Sequence, residues 1–449
     1  MKKIFVLIVL ILTAAMVLSA CGAAPTTAPA PVATTVATEA VEAPTTAEVV
    51  NITFMHQQVE QERQAVLATI IADFEAKNPG IHVEQMPVNE DDYDTKVATL
   101  AGASQLPAII EFSADQAKTN AKNELTNFAA VDKVIATKGE DNYFAGALAI
   151  AKTEDGAHYI GVPISGWVQG IWVNTALLEE KGLAVPQTWE DVLAVAKAFN
   201  DPANKKYGIA IPTSESAFTE QVFSQFALSN NANVFDKDGK VTFNTPEMKE
   251  AVEFYKQLAA YSMPGSTGVS EVSDAFSGQN TPMALYSTYI IGHVREAGFI
   301  GKLGFVLPKN KTAAAYGVVS VLSISSQIDE KQTAAAEQFL AYLLEPENNL
   351  KWALLSPGGA QPVIKGITEL DGYKNNEVIT SFAGIASDIA KAYGDLQVFG
   401  SVDGKNFAAM GDVTNTNVIS KALNEIIVNG ADVDTEMISV QSAIEELAK

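Results

Sequence analysis

The chain has 449 residues, with 53 acidic side chains against 30 basic ones and a formal charge of −23. So negative a body repels phosphate backbones and anionic lipid surfaces, which argues against a nucleic-acid partner. Cys21 is the only cysteine, so the body after it has no disulfide and no thiol nucleophile. No apolar run beyond the first 20 residues approaches the ~18 needed to span a bilayer, and the chain cannot itself form a helical membrane channel.

Lys2 and Lys3 precede an apolar run from Ile4 to Leu18, and Ser19-Ala20-Cys21 follows. A positive start, a hydrophobic run and a small-residue processing site predict an export signal over residues 1–20. Leu18-Ser19-Ala20-Cys21 resembles the lipobox of bacterial lipoproteins. The resemblance implies that Cys21 carries lipid, becomes the mature N-terminus and holds the protein at the outer face of the bacterial cell membrane. Residues 21–48 are almost wholly Ala, Pro and Thr after the cysteine and read as a flexible tether. The roughly 400 residues that remain exceed one ordinary core and suit two lobes.

Asn51–Met55 has the composition of a strand, and Arg63–Asn78 carries Val66, Leu67, Ile70, Ile71 and Phe74 at helical spacing until Asn78-Pro79-Gly80 stops it. Ile81–Met86 alternates as a second strand, Tyr93–Ala101 is helical, and Ala108–Phe112 is a third strand. Strand, helix, strand, helix, strand predicts a parallel sheet with crossover helices, whose ligands bind at the carboxyl ends of the strands. Those ends are His56-Gln57 and Phe112 through Gln116.

Further on, Ile160–Ile164 and Gly170–Asn174 form a strand-rich stretch. Thr188 with Asp191 predicts a capping box, and Thr245 followed by Pro246 predicts another helix start. Asp236-Lys237-Asp238-Gly239 invites a calcium-loop reading, but no glutamate closes such a loop, and a tight turn is expected. Met283–Tyr286, Leu303–Val306 and Tyr316–Ile324 read as strands, Ala334–Leu340 as a helix, and helices dominate from Asn349 onward. The four histidines (His56, His82, His158, His293) show no metal spacing, and no G-x-S-x-G elbow is present.

Several segments together resemble the family 1 extracellular solute-binding proteins of ABC importers, nearest to the maltose and glycerol-3-phosphate cluster. They are Ile52–His56, Asn78-Pro79-Gly80-Ile81-His82-Val83, Asp92–Lys96, Leu106–Ile109, Gly161-Val162-Pro163, Trp172-Val173-Asn174, Pro186–Asp191 and Phe243–Glu247. The resemblance implies an α/β, two-lobed periplasmic-binding-protein-like fold of type II. Each lobe would be a mainly parallel sheet flanked by helices, with a hinged cleft between. It places lobe 1 at residues 49–162 plus 313–356 and lobe 2 at 165–310 plus 360–449. Crossings are expected near Pro163–Ser165, Lys309–Ala315 and Ser356–Pro362.

The resemblance also implies the function and the site: a monomer that captures a sugar, needs no cofactor or metal, performs no catalysis and delivers its solute to a membrane permease. A sugar needs aromatic faces to stack on and planar polar groups to bond. The expected contacts are His56, Gln57, Phe112, Asp115, Gln116, Trp167, Tyr286, Tyr289 and Gly317, with Trp172 and Trp189 packed in the interior. A core position remains open for Phe112 and Tyr286, and a structural histidine for His56. Aromatics beside carboxylates also suit a polyamine, and the abundance of acids leaves a surface glycosidase as a further alternative.

Overall fold

The computed structural model describes residues 49–449 apart from Asp395; the expected export signal, Cys21 and the tether lie outside them. In the first part of the chain, β1 (Val50–His56) lies between β2 (Ile81–Pro87) and β3 (Ile109–Ser113) and runs parallel to both. The crossovers are α1 (Gln61–Lys77) and α2 (Glu90–Gly102). α1 buries Leu67, Ile70, Ile71 and Phe74, the stripe that its 3.6-residue spacing selects. It ends where the Asn78 side chain turns back to donate to the Phe74 carbonyl at 2.9 Å. α3 (Ala114–Lys122) starts directly from β3, capped by Ser113.

One strand then covers both predicted pieces of the middle region: β4 runs unbroken from Val162 to Asn174, with a register shift between Pro163 and Ser165. The predicted capping boxes and turns follow. α4 (Trp189–Phe199) has the reciprocal Thr188–Asp191 box, and α5 (Ala217–Ser229) is the most deeply buried helix of this half. The Asp236 carboxylate accepts from the backbone N–H groups of Asp238 and Lys240, which makes Asp236–Lys240 a tight turn with Gly239 at φ +83°. α6 (Pro246–Ala259) begins at a Thr245 cap with Pro246 at its first position.

The remaining strands are β5 (Met283–Ser287), β6 (Leu303–Val306), β7 (Tyr316–Ile324) and the short β8 (Gln361–Pro362). The sheet order is β2-β1-β3-β7-β4-β5, with β6 and β8 also on β4. It is a mixed sheet. β1 is parallel to its neighbours and Ala210 bridges Ala284 in parallel, whereas β7 meets both β3 and β4 antiparallel. The β1–β3 crossovers generate parallel pairs, and β7 runs opposite to them.

Two apolar cores flank this sheet. One gathers Phe54, Ile70, Phe74, Ile109, Phe339 and Trp352, the other Val192, Phe223, Phe226, Val252, Tyr255 and Ile444. The first core also takes in Ile290, Val363, Ile379 and Tyr393, so apolar packing by itself does not part the chain at one boundary. A final helix important to the site, α7 (Ala409–Asn415), anchors in the second core through Met410 and Val413. Among the described residues no helix is long and apolar enough to cross a membrane.

Candidate functional site

A cleft of about 1300 Å³ opens at the carboxyl ends of β1 and β3. Its first wall comes from the turn after β1, from α2 and from α3. Its second wall comes from α5, α7 and Tyr289, and Trp167 with Val318 and Ser320 of the long strands forms the floor.

The first wall is braced from behind by His56 and Glu111. His56 is fully buried. Its Nδ1 accepts the Gln58 backbone N–H at 3.2 Å, which leaves the ring hydrogen on Nε2 to donate to Gln85 Oε1 at 3.2 Å. Burial lowers its pKa to about 4, against a smaller raising effect of the Gln85 bond. Protonation would set a second hydrogen against the Gln58 N–H. Glu111 accepts from the Gln57 backbone N–H at 3.0 Å and from Gln58 Nε2 at 3.0 Å. Burial raises its pKa, while those two bonds and the Arg63 charge pull it down. The turn that carries Gln57 and Gln58 is therefore pinned at both ends.

Gln116 belongs to the same construction. Its amide oxygen accepts the Ser113 N–H at 3.0 Å and its own N–H reaches Ser113 Oγ at 3.2 Å, closing a capping box. Its Nε2 donates to Asp94 at 2.8 Å. Asp115, one residue earlier, is exposed in the first helical turn and pairs with Lys118 at 3.0 Å. Phe112 lines the cleft with little of its surface, being 2 % exposed and edge-on to Tyr93.

Trp167 is half-buried on the cleft floor, with Tyr316 beside it at 5.8 Å. Tyr289 is 41 % exposed and faces the same space. Gln57, Phe112, Asp115, Gln116, Trp167 and Tyr289 all line one cleft. Trp172 and Trp189 are interior, with indole N–H groups bonded to the Tyr286 carbonyl and to Ser229 Oγ.

Three expected contacts need correction. His56 stands behind the wall, because the last side chain of β1 points into the first core and the turn beyond it supplies the cleft surface. Tyr286 is 7 % exposed, edge-on to Phe218, and is an interior residue of β5. Gly317 serves strand packing: a Cβ there would overlap the Trp167 carbonyl oxygen and press on Leu396. Gly166, nearby on β4, meets Tyr393 and the Val318 carbonyl in the same way. The two glycines let β4 and β7 approach where they cross the molecule.

Sequence reasoning missed Gln58, Arg63, Glu111, Gln221, Thr414 and Asn415, all of which line the cleft. Glu111 had a local signal, a lone charge inside an apolar strand. Thr414 and Asn415 had none, since they come from a helix some 300 residues away in sequence from the wall they face. Among the described residues, the lining carries five carboxylates (Glu60, Asp92, Asp94, Glu111, Asp115) against a single basic residue, Arg63.

The two-lobed α/β architecture with an acidic, aromatic-floored cleft is that of a solute receptor. The chain matches the family described as bacterial extracellular solute-binding protein over residues 69–380, and it belongs to that family, the substrate-binding class of ABC transporters. It is 46% identical over 398 residues to the ABC transporter periplasmic-binding protein YcjN of Escherichia coli, covering 89% of this chain and 93% of that one. It is 23% identical over 333 residues to the multiple sugar-binding protein of Streptococcus mutans, covering 71% and 76% of the two chains. Among solved structures, maltose-bound MalE3 of T. maritima superposes with a TM-score of 0.73 at 17% identity, covering 89% of this chain and all of that one (100%).

Proposed function

We propose that this protein captures a neutral saccharide in the cleft and delivers it to the membrane permease of an ABC importer. The observation that carries the reading is the pairing of Trp167 and Tyr289, two accessible aromatic rings in one polar cleft. Apolar C–H faces of a sugar stack on such rings while amides and carboxylates engage its hydroxyls. Gln57, Gln58, Gln221 and Asn415 supply neutral donors and acceptors; Asp115 supplies a carboxylate; Phe112 backs the floor. Relatives and structural neighbours with sugar-binding names support the class of solute.

Charge narrows that class. Five carboxylates against one arginine among the described lining residues disfavour a phosphorylated or carboxylated solute, which would need cationic partners. The same excess favours a cationic amine as the second reading, with the rings as its cage. In this account the two lobes, divided as the sequence suggests, close on the solute by a hinge at β4 and β7. Lipid on Cys21 keeps the receptor at the outer face of the cell membrane.

A thermal-shift screen of residues 49–449 against maltose, maltotriose, tagatose, ribitol, spermidine and glycerophosphocholine tests the reading. A molecule that binds only the folded state raises the midpoint by mass action. A rise with a saccharide or polyol supports it; a rise with spermidine alone replaces the solute; a rise with none overturns it. For the anchor, Cys21→Ser is expected to move the protein out of the membrane fraction, and retention there would refute lipidation.

A further inference from the structure

On α5, Ala217 and Gln221 line the cleft, and Glu220 lies beneath them at 5 % exposure. Thr414 of α7 also lines the cleft, and its hydroxyl donates to Glu220 Oε1 at 2.6 Å. The other carboxyl oxygen, Oε2, is buried without a hydrogen-bond partner. A hydroxyl has one hydrogen and two acceptor positions. When the carboxyl proton sits on Oε2, Oε1 is a carbonyl oxygen that takes the Thr414 hydrogen, and Thr414 Oγ1 has only acceptor positions left to offer.

We propose that Glu220 is a positioning residue that fixes Thr414 as the acceptor for a hydroxyl of the bound molecule, and that tight capture requires the Glu220 carboxyl to be neutral. The inference rests on reading the cleft as a saccharide site. An ionised Glu220 would leave an unpaired charge at buried Oε2, beneath the very wall that meets the ligand. Burial raises its pKa to about 7; the Thr414 bond opposes the rise and the charge of Asp115, on the opposite wall, adds to it.

Other titratable and charged groups stand on the elements packed around α5. Tyr316 on β7 has its hydroxyl kept protonated by burial first, then by the charges of Asp115 and Glu220. On α7, Asp412 pairs with Lys122, and on the helix Val418–Asn424, Lys421 donates to the Thr416 carbonyl. On α6, Tyr255 bonds the Pro212 carbonyl, Lys249 pairs with Asp434, and Glu247 and Glu250 face Lys311; Glu253 and Lys256 complete that helix's charges.

The test measures affinity between pH 6 and pH 8 for the member of the maltose, maltotriose, tagatose and ribitol panel that raises the wild-type midpoint most. If only the neutral form captures, a group with a pKa of about 7 leaves roughly one molecule in ten competent at pH 8, and apparent affinity falls about tenfold from pH 6. Glu220→Gln, which cannot ionise, is expected to flatten that profile. Thr414→Val is expected to weaken binding at every pH, and Thr414→Ser to restore it. Equal slopes in wild type and Glu220→Gln would overturn the requirement for a neutral carboxyl. Wild-type affinity in Thr414→Val would overturn the acceptor role, and it remains readable if Glu220→Gln does not fold. No response of the wild type to any panel member removes the saccharide reading and this inference together.

Discussion

The two walls of the cleft hold a buried histidine and a buried glutamate in opposite ways. Behind the first wall, His56 is neutral because it has lost a proton, and its two ring nitrogens are matched to one donor and one acceptor. Behind the second wall, burial lifts the Glu220 pKa to about 7, so it keeps its proton below neutral pH, and one of its oxygens has no hydrogen-bond partner. The first wall is a satisfied network that holds one geometry; the second keeps a polar group in reserve. Fully satisfied buried networks rigidify, while partly satisfied ones are sensitive to whatever changes charge nearby. The contrast teaches that the second wall is where this receptor is open to control by its surroundings.

The comparison can be broken most directly at the shared floor. Trp167→Ala and Tyr289→Ala remove the stacking faces, and each is expected to weaken saccharide affinity about tenfold to a hundredfold. Calorimetric titration checks this, with the apo melting temperature close to wild type because both rings are accessible in the cleft. Unchanged affinity in both variants would remove the rings from the site.

Next in size are two opposed pH slopes of stability. The folded pKa of His56 is about 4 against an ordinary 6.5. Its contribution is complete above about 6.5 and is lost as pH falls toward 4. Glu220 has a folded pKa of about 7 against an ordinary 4.5. Folding is therefore most favoured at this site below 4.5, and the advantage is lost as pH rises through 7. Each effect amounts to about 3 kcal/mol when fully developed. Urea unfolding of His56→Gln is expected to lose less stability than wild type between pH 7 and pH 4.5. Glu220→Gln is expected to lose less between pH 5 and pH 8. Parallel slopes in wild type and either variant would show that the residue concerned is not held neutral.

The smallest effect belongs to the rim, where Lys122 of α3 and Asp412 of α7 face each other across the cleft at 3.6 Å. Both side chains are well exposed. Lys122→Ala is therefore expected to change affinity by no more than about twofold, an effect that should vanish in high salt. A larger, salt-resistant loss would make this pair a true latch between the walls.

Much of the architecture was legible in the chain because it is written in short-range terms. The apolar stripe of α1, the Thr188–Asp191 and Thr245–Pro246 starts and the strand Tyr316–Ile324 follow from spacing and capping chemistry among residues a few positions apart. The end of β3 pointed to Phe112, Asp115 and Gln116 for the same reason, since strand ends in such sheets face the cleft. What could not be read was direction and depth. A strand's sequence does not record whether its neighbour runs parallel, and β7 turned out antiparallel on both sides. Nor does it record which side of a boundary a side chain takes, so His56 and Tyr286 went inside while Gln58 came to the surface.

By itself, then, the sequence determined most of the elements and the class of fold, and put forward the aromatic pair of the cleft, because each depends on local pattern or on motifs in order along the chain. Tertiary structure alone decided that α7, from the last tenth of the chain, closes the second wall, and that Thr414 there meets Glu220 nearly 200 residues earlier (separation 194). It also decided that Gly166 and Gly317 serve the crossing strands. Those outcomes depend on which distant surfaces share one space and how little water is left there. Burial of that kind is a property of the packed molecule, not of any segment of it.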